Sequence, residues 1–516
     1  MELPTLDIRN HKFIALQISL LIGMGVLLRL ADLGYSDFQG DEIDALCRYS
    51  DFKTPLQFIA YLLGQRKGPV QFVVTCAVSL FDAGLSSELA VRLPFAVASL
   101  IALACFFILV YRLFTLEIAI YASFLFATNG IFIAFGRIVQ YQSFVLLGVV
   151  TGILGLTLAL QSEKWRVWGL YLGFLSAAMA LLAHFDAAFA LPPMAVLVLH
   201  WWRTFQARPG FARLRRHLIA AMALFAFLVL GFYLEYATRL GPFQTDYWAG
   251  RLTGESTNIF LLFQFYNPGP ALWLYLAAIL IGLTRLRPSI NWQVLLAWLL
   301  PPLIFMVLIF KDSRTHAYTY LLPILILAGI GIDALIHWLQ HFLREKPRRL
   351  APMLGLAFFL LLAYVSYEVF VDHQPEYPLQ PKRVFHMELP GGNPVGAFGF
   401  PHSNNWRGIA KWFERLPSQD LTVVTNEKLE IPRFYMPAGL QYRYGRPEFP
   451  GNIQAENGLY VLVLTRPQSW MNELWGWSWE EWHENFVPQD NFLDEEGEIV
   501  ASVFILTEEQ INRAFP

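Results

Sequence analysis

The residues with the most chemistry in them sit close behind the first apolar segment, in Asp37-Phe38-Gln39-Gly40-Asp41-Glu42-Ile43-Asp44. A carboxylate pair where a chain leaves a bilayer carries a desolvation cost unless it is solvated or used, so ionisable groups at that depth are functional candidates. Gly40 marks a turn, and Asp41 and Glu42 suit the first turn of a helix, where acidic side chains oppose the helix dipole. A solvated acidic helix start explains the pair equally well. Further on, Gln65-Arg66-Lys67-Gly68-Pro69 forms a cationic turn able to hold a lipid phosphate, although snorkelling also places basic side chains at this level. A second polar stretch runs from Gly136 through Arg137 to Gln140-Tyr141-Gln142. There Arg137 is suited to neutralise a phosphate, and Gln140, Tyr141 and Gln142 to bond sugar hydroxyls. Lys311, Arg314, His316, Tyr318 and Tyr320 add more cationic and phenolic groups. His184 and Asp186 are weaker candidates, since a lone helical histidine is more often a packing residue than a ligand. If a divalent cation binds, Asp41 and Glu42, with Asp44 beside them, are the hard oxygen ligands; no His/Cys spacing resembles a zinc site.

These groups are positioned by an unusual chain. It has 516 residues, 56% of them apolar and 15% charged, against roughly 45–50% and 25% in soluble domains. Mean hydropathy is +0.43. Three cysteines (Cys47, Cys76, Cys105) exclude a disulfide scaffold, and a net charge of −2 gives no general attraction to nucleic acid. Apolar runs near twenty residues read as membrane-spanning helices. Eleven are expected: 12–33, 89–111, 116–135, 143–161, 167–184, 187–202, 217–237, 268–284, 290–310, 318–340 and 350–371. Residues 55–63 and 69–82 are too short to span and read as helices lying in the interface.

The positive-inside rule then orients the chain. With 69–82 on the surface and the N-terminus in the cytoplasm, the clusters around Arg9, Arg112, Lys164, Arg203–Arg216, Arg285 and Arg344–Arg349 all fall inside. The expectation is an integral plasma-membrane protein whose loops 34–88, 136–142 and 311–317, and its tail, share the outer side. Residues 1–371 form the membrane domain, 372–394 a linker and 395–516 a small extracytoplasmic α/β domain. Within the tail, helices are expected over 405–416 and 470–483, and strands over 421–425, 459–465 and 499–507. The tryptophan run Trp475, Trp477, Trp479, Trp482 suits lipid, sugar or core. No phosphate-cradling glycine motif is present to drive ATP-dependent work.

GDEIDALCRY after the first span, then KGPVQF, ELAVRLPFAVASL, FIAFGRIVQYQS and THAYTYLLPILILAGIGI, resemble the membrane glycosyltransferases of family 39. Protein O-mannosyltransferases and lipid A aminoarabinose transferases belong to it. The resemblance implies a GT-C fold and transfer of a sugar from a polyprenyl-phosphate donor to an acceptor lipid, glycan or protein on the outer face. It also implies that the acidic residue of the first loop, matched here by Asp41 and Glu42, is the base. One departure stands out: the loop after the third span, where the family commonly places a second acid, reads Gln140-Tyr141-Gln142.

Chemistry agrees on the parts required. A departing lipid phosphate needs cations, and the acceptor hydroxyl needs one base. Inverting attack places them on opposite faces of the sugar. Asp41 as base, Glu42 orienting the acceptor or tuning Asp41, Asp44 beside them, and Lys67, Arg137, Arg314, His316 and Tyr320 around the phosphate meet this need. No organic cofactor is implied. A non-catalytic transporter or flippase of lipid-linked glycans, or an assembly protein, is the competing class. It predicts charges at mid-bilayer or matched halves, and neither is evident.

Overall fold

The computed structural model describes all residues except 1–7, 66, 240, 242–245, 247–248, 251–258, 268, 311–313, 343–349, 379, 390, 393–397, 417–421, 438–439, 445–458, 467–477, 496, 508 and 511–516. Each of the eleven expected apolar runs is helical. Among the described residues eight helices are long and apolar enough to cross a membrane: α1 (Ile8–Leu30), α5 (Glu88–Leu113), α8 (Gln142–Gln161), α10 (Leu191–Phe205, led in by a 3-10 turn at Phe185–Ala190), α11 (Phe211–Thr238), α14 (Ile290–Ile304, extended by a π turn to Ile309), α15 (Tyr318–Phe342) and α16 (Leu350–Phe370). A further pair is long enough only when taken together, as a broken span or a re-entrant loop: α6 (Leu116–Thr128) and α7 (Gly130–Gly136) meet at 62°. Asn129 makes the break, because its side chain accepts from the Ile131 N–H and so starts a new helix where the old one ends. Two runs give shorter helices, α9 (Trp168–Ala183) and α13 (Gly269–Leu283), of 16 and 15 residues, the second preceded by the short α12 (Ile259–Tyr266). At about 1.5 Å per residue these fall several ångströms short of a full hydrocarbon core.

The helices associate through small residues rather than through water exclusion, which has no force inside lipid. Gly148 of α8 lies against Ser176 and Ala180 of α9, and Gly152 and Gly155 against Gly169 and Gly173, so closely that a Cβ on Gly155 would fall 2.6 Å from the Gly173 nitrogen. Buried arginines fasten the bundle at two further points. Arg29, in the last turn of α1, donates to Ser99 on α5 and to the Phe126 and Ala127 carbonyls that end α6. Outward-facing side chains stay apolar, as Phe227 at 73% and Leu308 at 75% exposure show. This is the surface of a multi-pass membrane protein.

Between α1 and α5 lie three short helices: α2 (Gly40–Ile43), α3 (Pro55–Leu63) and α4 (Val70–Ser79). Thr54 caps α3 and Pro55 occupies its first turn, where a missing N–H costs nothing. At ten residues α4 reaches about 15 Å, half a bilayer core. A Cys47–Cys76 disulfide ties α4 to the stretch after α2, within a cluster of Phe52, Phe58, Tyr61 and Phe72. Composition excluded a disulfide scaffold, and one cross-link is not a scaffold, but the pairing itself went unread.

After α16 the chain forms a hairpin, β1 (Lys382–Val384) with β2 (Met387–Leu389), and then a five-stranded sheet. Its strands are β3 (Thr422–Thr425), β4 (Gln441–Tyr444), β5 (Leu459–Thr465), β6 (Asp490–Leu493) and β7 (Ile499–Thr507), in the order β4-β3-β5-β7-β6. β3 runs parallel to β4 and β5, while β7 is antiparallel to β5 and β6. The helices α17 (Trp406–Phe413), α18 (Glu430–Tyr435) and α19 (Trp479–Asn485) accompany it, with Trp406, Ile409, Val461 and Val503 in its core. Trp482 is buried core, while Trp475 and Trp477 lie outside the described residues.

This sheet domain grips the first loop. The Asn404 N–H donates to the Asp37 carboxylate at 2.7 Å, the Asp37 N–H donates to the His402 carbonyl, and Gln39 donates to the Phe400 carbonyl. Tyr435 accepts from the Phe38 N–H and donates to Glu88, which also pairs with Arg407 at 2.6 Å. The loop is therefore held between membrane helices below and the sheet domain above.

Candidate functional site

Asp41 and Glu42 share one turn of α2 but point to different surroundings. Glu42 is fully buried. Its Oε1 accepts from Arg92 Nε and the Val139 N–H, both at 2.9 Å, and its Oε2 from the second arm of the Arg92 guanidinium at 2.8 Å and the Gln39 N–H at 3.0 Å. A carboxylate with four donors has no lone pair left for an acceptor or a metal. Glu42 is thus a tie between α2, α5 and the 137–142 loop. This corrects its expected place in the catalytic pair and as a metal ligand with Asp41. Arg92 continues the tie by donating to the carbonyls of Leu33, Ser36 and Asp37, in the loop that follows α1.

Asp41 is half-buried, and its carboxylate accepts no hydrogen bond from any described residue. Its backbone carbonyl accepts from Gln140 Nε2 at 3.0 Å. The other end of the same amide, Gln140 Oε1, accepts from Lys67 Nζ at 3.2 Å. One buried amide therefore holds a carboxylate-bearing backbone and an ammonium side by side. Lys67 also sits 5.8 Å from the Tyr141 ring centroid, over its face. The turn that presents it is possible only with glycine next door: a Cβ on Gly68 would strike the Leu182 and Ala183 carbonyls at the end of α9. Lys428 of the sheet domain reaches the same place, its Cδ 3.1 Å from where a Cβ on Gly40 would stand.

Beyond Tyr141 the strip continues into a cluster that sequence spacing did not reveal. Tyr141 stacks on His184 with centroids 3.9 Å apart and planes 8° from parallel. His184 Nδ1 lies 3.2 Å from Asp186 Oδ2, and His316 Nδ1 lies 2.7 Å from the same oxygen. Tyr318 donates to it as well, at 2.9 Å. His184 and Asp186 are two residues apart, but His316 comes to them from 130 residues further along the chain, so no local motif announces the trio.

The other expected residues divide plainly. Arg137 is buried and its guanidinium donates to the Leu28, Ala31 and Asp32 carbonyls, so it caps α1 instead of waiting for a phosphate. His316 is committed to Asp186 in the same way. Tyr320 is buried within α15. Gln142 is buried at the start of α8 with its Oε1 unpaired, a polar atom pointing at no described partner. Asp44 is exposed at the end of α2. Lys311 and the Arg314 side chain lie outside the described residues. The structure thus gathers Asp41, Lys67, Gln140 and Tyr141, and assigns Glu42 and Arg137 to the frame.

Burial also raises two carboxyls behind the loop. Desolvation pushes Asp37 up to about 6, against bonds from Asn404 and Trp406 that pull it down. Glu427, buried at the end of β3, is pushed up to about 7 for the same reason, with Lys428 opposing. Neighbouring Asn426 is structural, since its amide exchanges bonds with Thr465 across the sheet.

Comparison with solved structures bears on this architecture. ArnT from Cupriavidus metallidurans, in the form bound to undecaprenyl phosphate, superposes with a TM-score of 0.55 at 11% identity, covering 96% of this chain and 98% of that one. The chain has the GT-C fold. An oligosaccharyltransferase from Archaeoglobus fulgidus in its apo form matches with a TM-score of 0.52 at 11% identity, over 83% of this chain and 64% of that one. The mycobacterial arabinofuranosyltransferase AftD gives 0.51 at 13% identity, over 90% of this chain and 35% of that one. A family model described as dolichyl-phosphate-mannose-protein mannosyltransferase matches residues 67–233. Comparison with curated proteins gives no match.

Proposed function

We propose that the chain transfers a sugar from a polyprenyl-phosphate donor to an acceptor hydroxyl on the outer face of the plasma membrane, with Asp41 as general base. The observation that carries this reading is the Gln140 amide. It holds Asp41, whose carboxylate accepts nothing from the described residues, next to Lys67. A base with open lone pairs beside an anchored cation is the minimum for this reaction. The carboxylate takes the proton as the acceptor oxygen attacks the anomeric carbon. The ammonium meets charge that grows on the departing phosphate. No acid is required on the leaving side, since the phosphate leaves as a stable anion.

Three further observations support the reading. Leu56 on α3 and Phe81 just beyond α4, 76% and 93% exposed, offer a greasy shelf on the elements that flank Lys67, which suits a polyprenyl chain. The Cys47–Cys76 disulfide suits an oxidising compartment, in agreement with an outer first loop and a cytoplasmic N-terminus. ArnT, which shares the fold, has been crystallised with undecaprenyl phosphate.

The test uses full-length protein in lipid nanodiscs with polyprenyl-phosphate sugars, following release of free polyprenyl phosphate. Release by the wild type that disappears in Asp41→Asn supports transfer. Movement of intact donor across vesicles without cleavage would instead support the flippase reading.

A further inference from the structure

The cluster of His184, Asp186 and His316 has no part in the transfer chemistry described above. His184 Nδ1 stands 3.3 Å from the Asp186 N–H and 3.2 Å from Asp186 Oδ2, and a neutral ring nitrogen, having either a proton or a lone pair, serves only one of them. Oδ2 in turn faces both imidazole nitrogens and the Tyr318 hydroxyl, and all three cluster side chains are buried. A positive ion at their centre would take a lone pair from each ligand at once.

We propose that His184, Asp186 and His316 form a binding site for one divalent transition-metal ion, of which zinc fits best. One ligand atom from each residue lies within 4.8 Å of the others, a spacing from which all three reach a common centre. Two imidazole nitrogens and one carboxylate oxygen form a donor set preferred by zinc and its neighbours over magnesium or calcium, which favour oxygen alone. Three protein ligands leave a position that water or a phosphate oxygen can occupy. Tyr318, donating to Oδ2, is the outer group that fixes the carboxylate's orientation. A cavity of about 20 Å³ borders Asp186 and Tyr318, room for one water molecule.

The ligands sit on parts that are fixed by other means. His184 ends α9 under the Tyr141 ring, Asp186 opens the 3-10 turn that leads into α10, and His316 lies in the short turn before α15. An ion here would join three helices of the bundle at the edge of the Lys67 strip. The site is separate from Asp41, so its occupancy does not depend on the sugar-transfer reading.

The experiment counts metal on the full-length protein in detergent. The protein is stripped with a chelator, incubated with Zn²⁺, Co²⁺ or Mg²⁺, freed of unbound ion and measured by mass spectrometry. One Zn²⁺ or Co²⁺ per chain, no Mg²⁺, and visible Co²⁺ absorption bands of a nitrogen/oxygen site are expected. Asp186→Asn and His316→Gln, each eluting as the folded wild type does, should fall below about a tenth of an ion per chain, whereas Asp41→Asn should stay full. Should those variants not fold, His184→Cys provides a second reading, because a thiolate ligand adds a sulfur-to-cobalt charge-transfer band. Folded wild type without Zn²⁺ or Co²⁺, full occupancy in both ligand variants, or a His184→Cys cobalt spectrum identical to the wild type would each overturn the assignment.

Discussion

Asp41 and Glu42 are neighbours on one turn, yet the first opens onto a half-buried strip and the second is sealed in a frame. Glu42, Arg92 and Arg137 form a continuous buried set in which the carboxylate accepts four bonds and the guanidiniums cap the carbonyls that end α1. Around Asp41 and Lys67, by contrast, one amide positions both groups and leaves the Asp41 carboxylate open to a ligand. The comparison teaches that charge at the membrane edge serves two ends. Where every valence is satisfied, the group fixes geometry; where one remains open beside an opposite charge, the group is available for chemistry. The first kind stabilises the placement of the second, because Arg92 and Glu42 fix the turn on which Asp41 stands.

The sharpest way to break this division is to remove Glu42. Glu42→Ala leaves Arg92 charged in the interior without its counter-charge, at a cost of about 3–5 kcal/mol. The expected result is a large loss of folded protein in a detergent melting curve, while Asp41→Ala stays within about 0.5 kcal/mol of wild type. Equal stability of the two variants would dissolve the distinction.

Next in size is the disulfide. Cys47→Ser with Cys76→Ser opens a loop spanning 29 residues and should cost about 2–4 kcal/mol. Because α3 and α4 carry Lys67 toward Gln140, a rise in KM for the lipid donor should accompany the lower melting point. Lys67→Met acts on the open strip alone: turnover should fall roughly 10²-fold with an unchanged melting curve, and Lys67→Arg should recover part of it.

The smallest effect concerns Asp37, whose carboxyl is raised to about 6 by burial under the sheet domain. A raised acid binds its proton more tightly when folded. Its contribution therefore favours folding at low pH and is lost as pH climbs from the unfolded value of 3.8 to about 6. Asp37→Asn should flatten the pH dependence of stability across that window, as read from melting curves in a pH series. An unchanged slope would show that Asp37 is better solvated than the docking of Asn404 implies.

Much of this was legible beforehand, for physical reasons that differ from part to part. Each apolar run became a helix because lipid allows the backbone no other solution. The α3 and α4 segments were recognisable as too short to span. Lys67, Gln140 and Tyr141 were readable as polar residues in otherwise apolar surroundings, and they do converge. Glu42 and Arg137 were misread, since sequence shows a charge but not its partner. Arg92, fifty residues from Glu42, was the missing clue: an arginine inside an apolar helix signals a buried counter-charge. His184, Asp186 and His316 were each visible as candidates, but their meeting was not, because folding alone brings His316 to the other two across 130 residues.

The central claim is that Asp41 reacts while Glu42 holds, and a paired assay tests it most directly. Asp41→Asn and Glu42→Gln are purified together, their folded fractions determined, and polyprenyl-phosphate release from a polyprenyl-phosphate sugar measured per folded molecule. The account predicts that Asp41→Asn melts like the wild type but loses about 10²–10⁴-fold in turnover, and that Glu42→Gln melts early while its folded fraction still turns over. Wild-type release by Asp41→Asn, or its complete loss in well-folded Glu42→Gln, would contradict it.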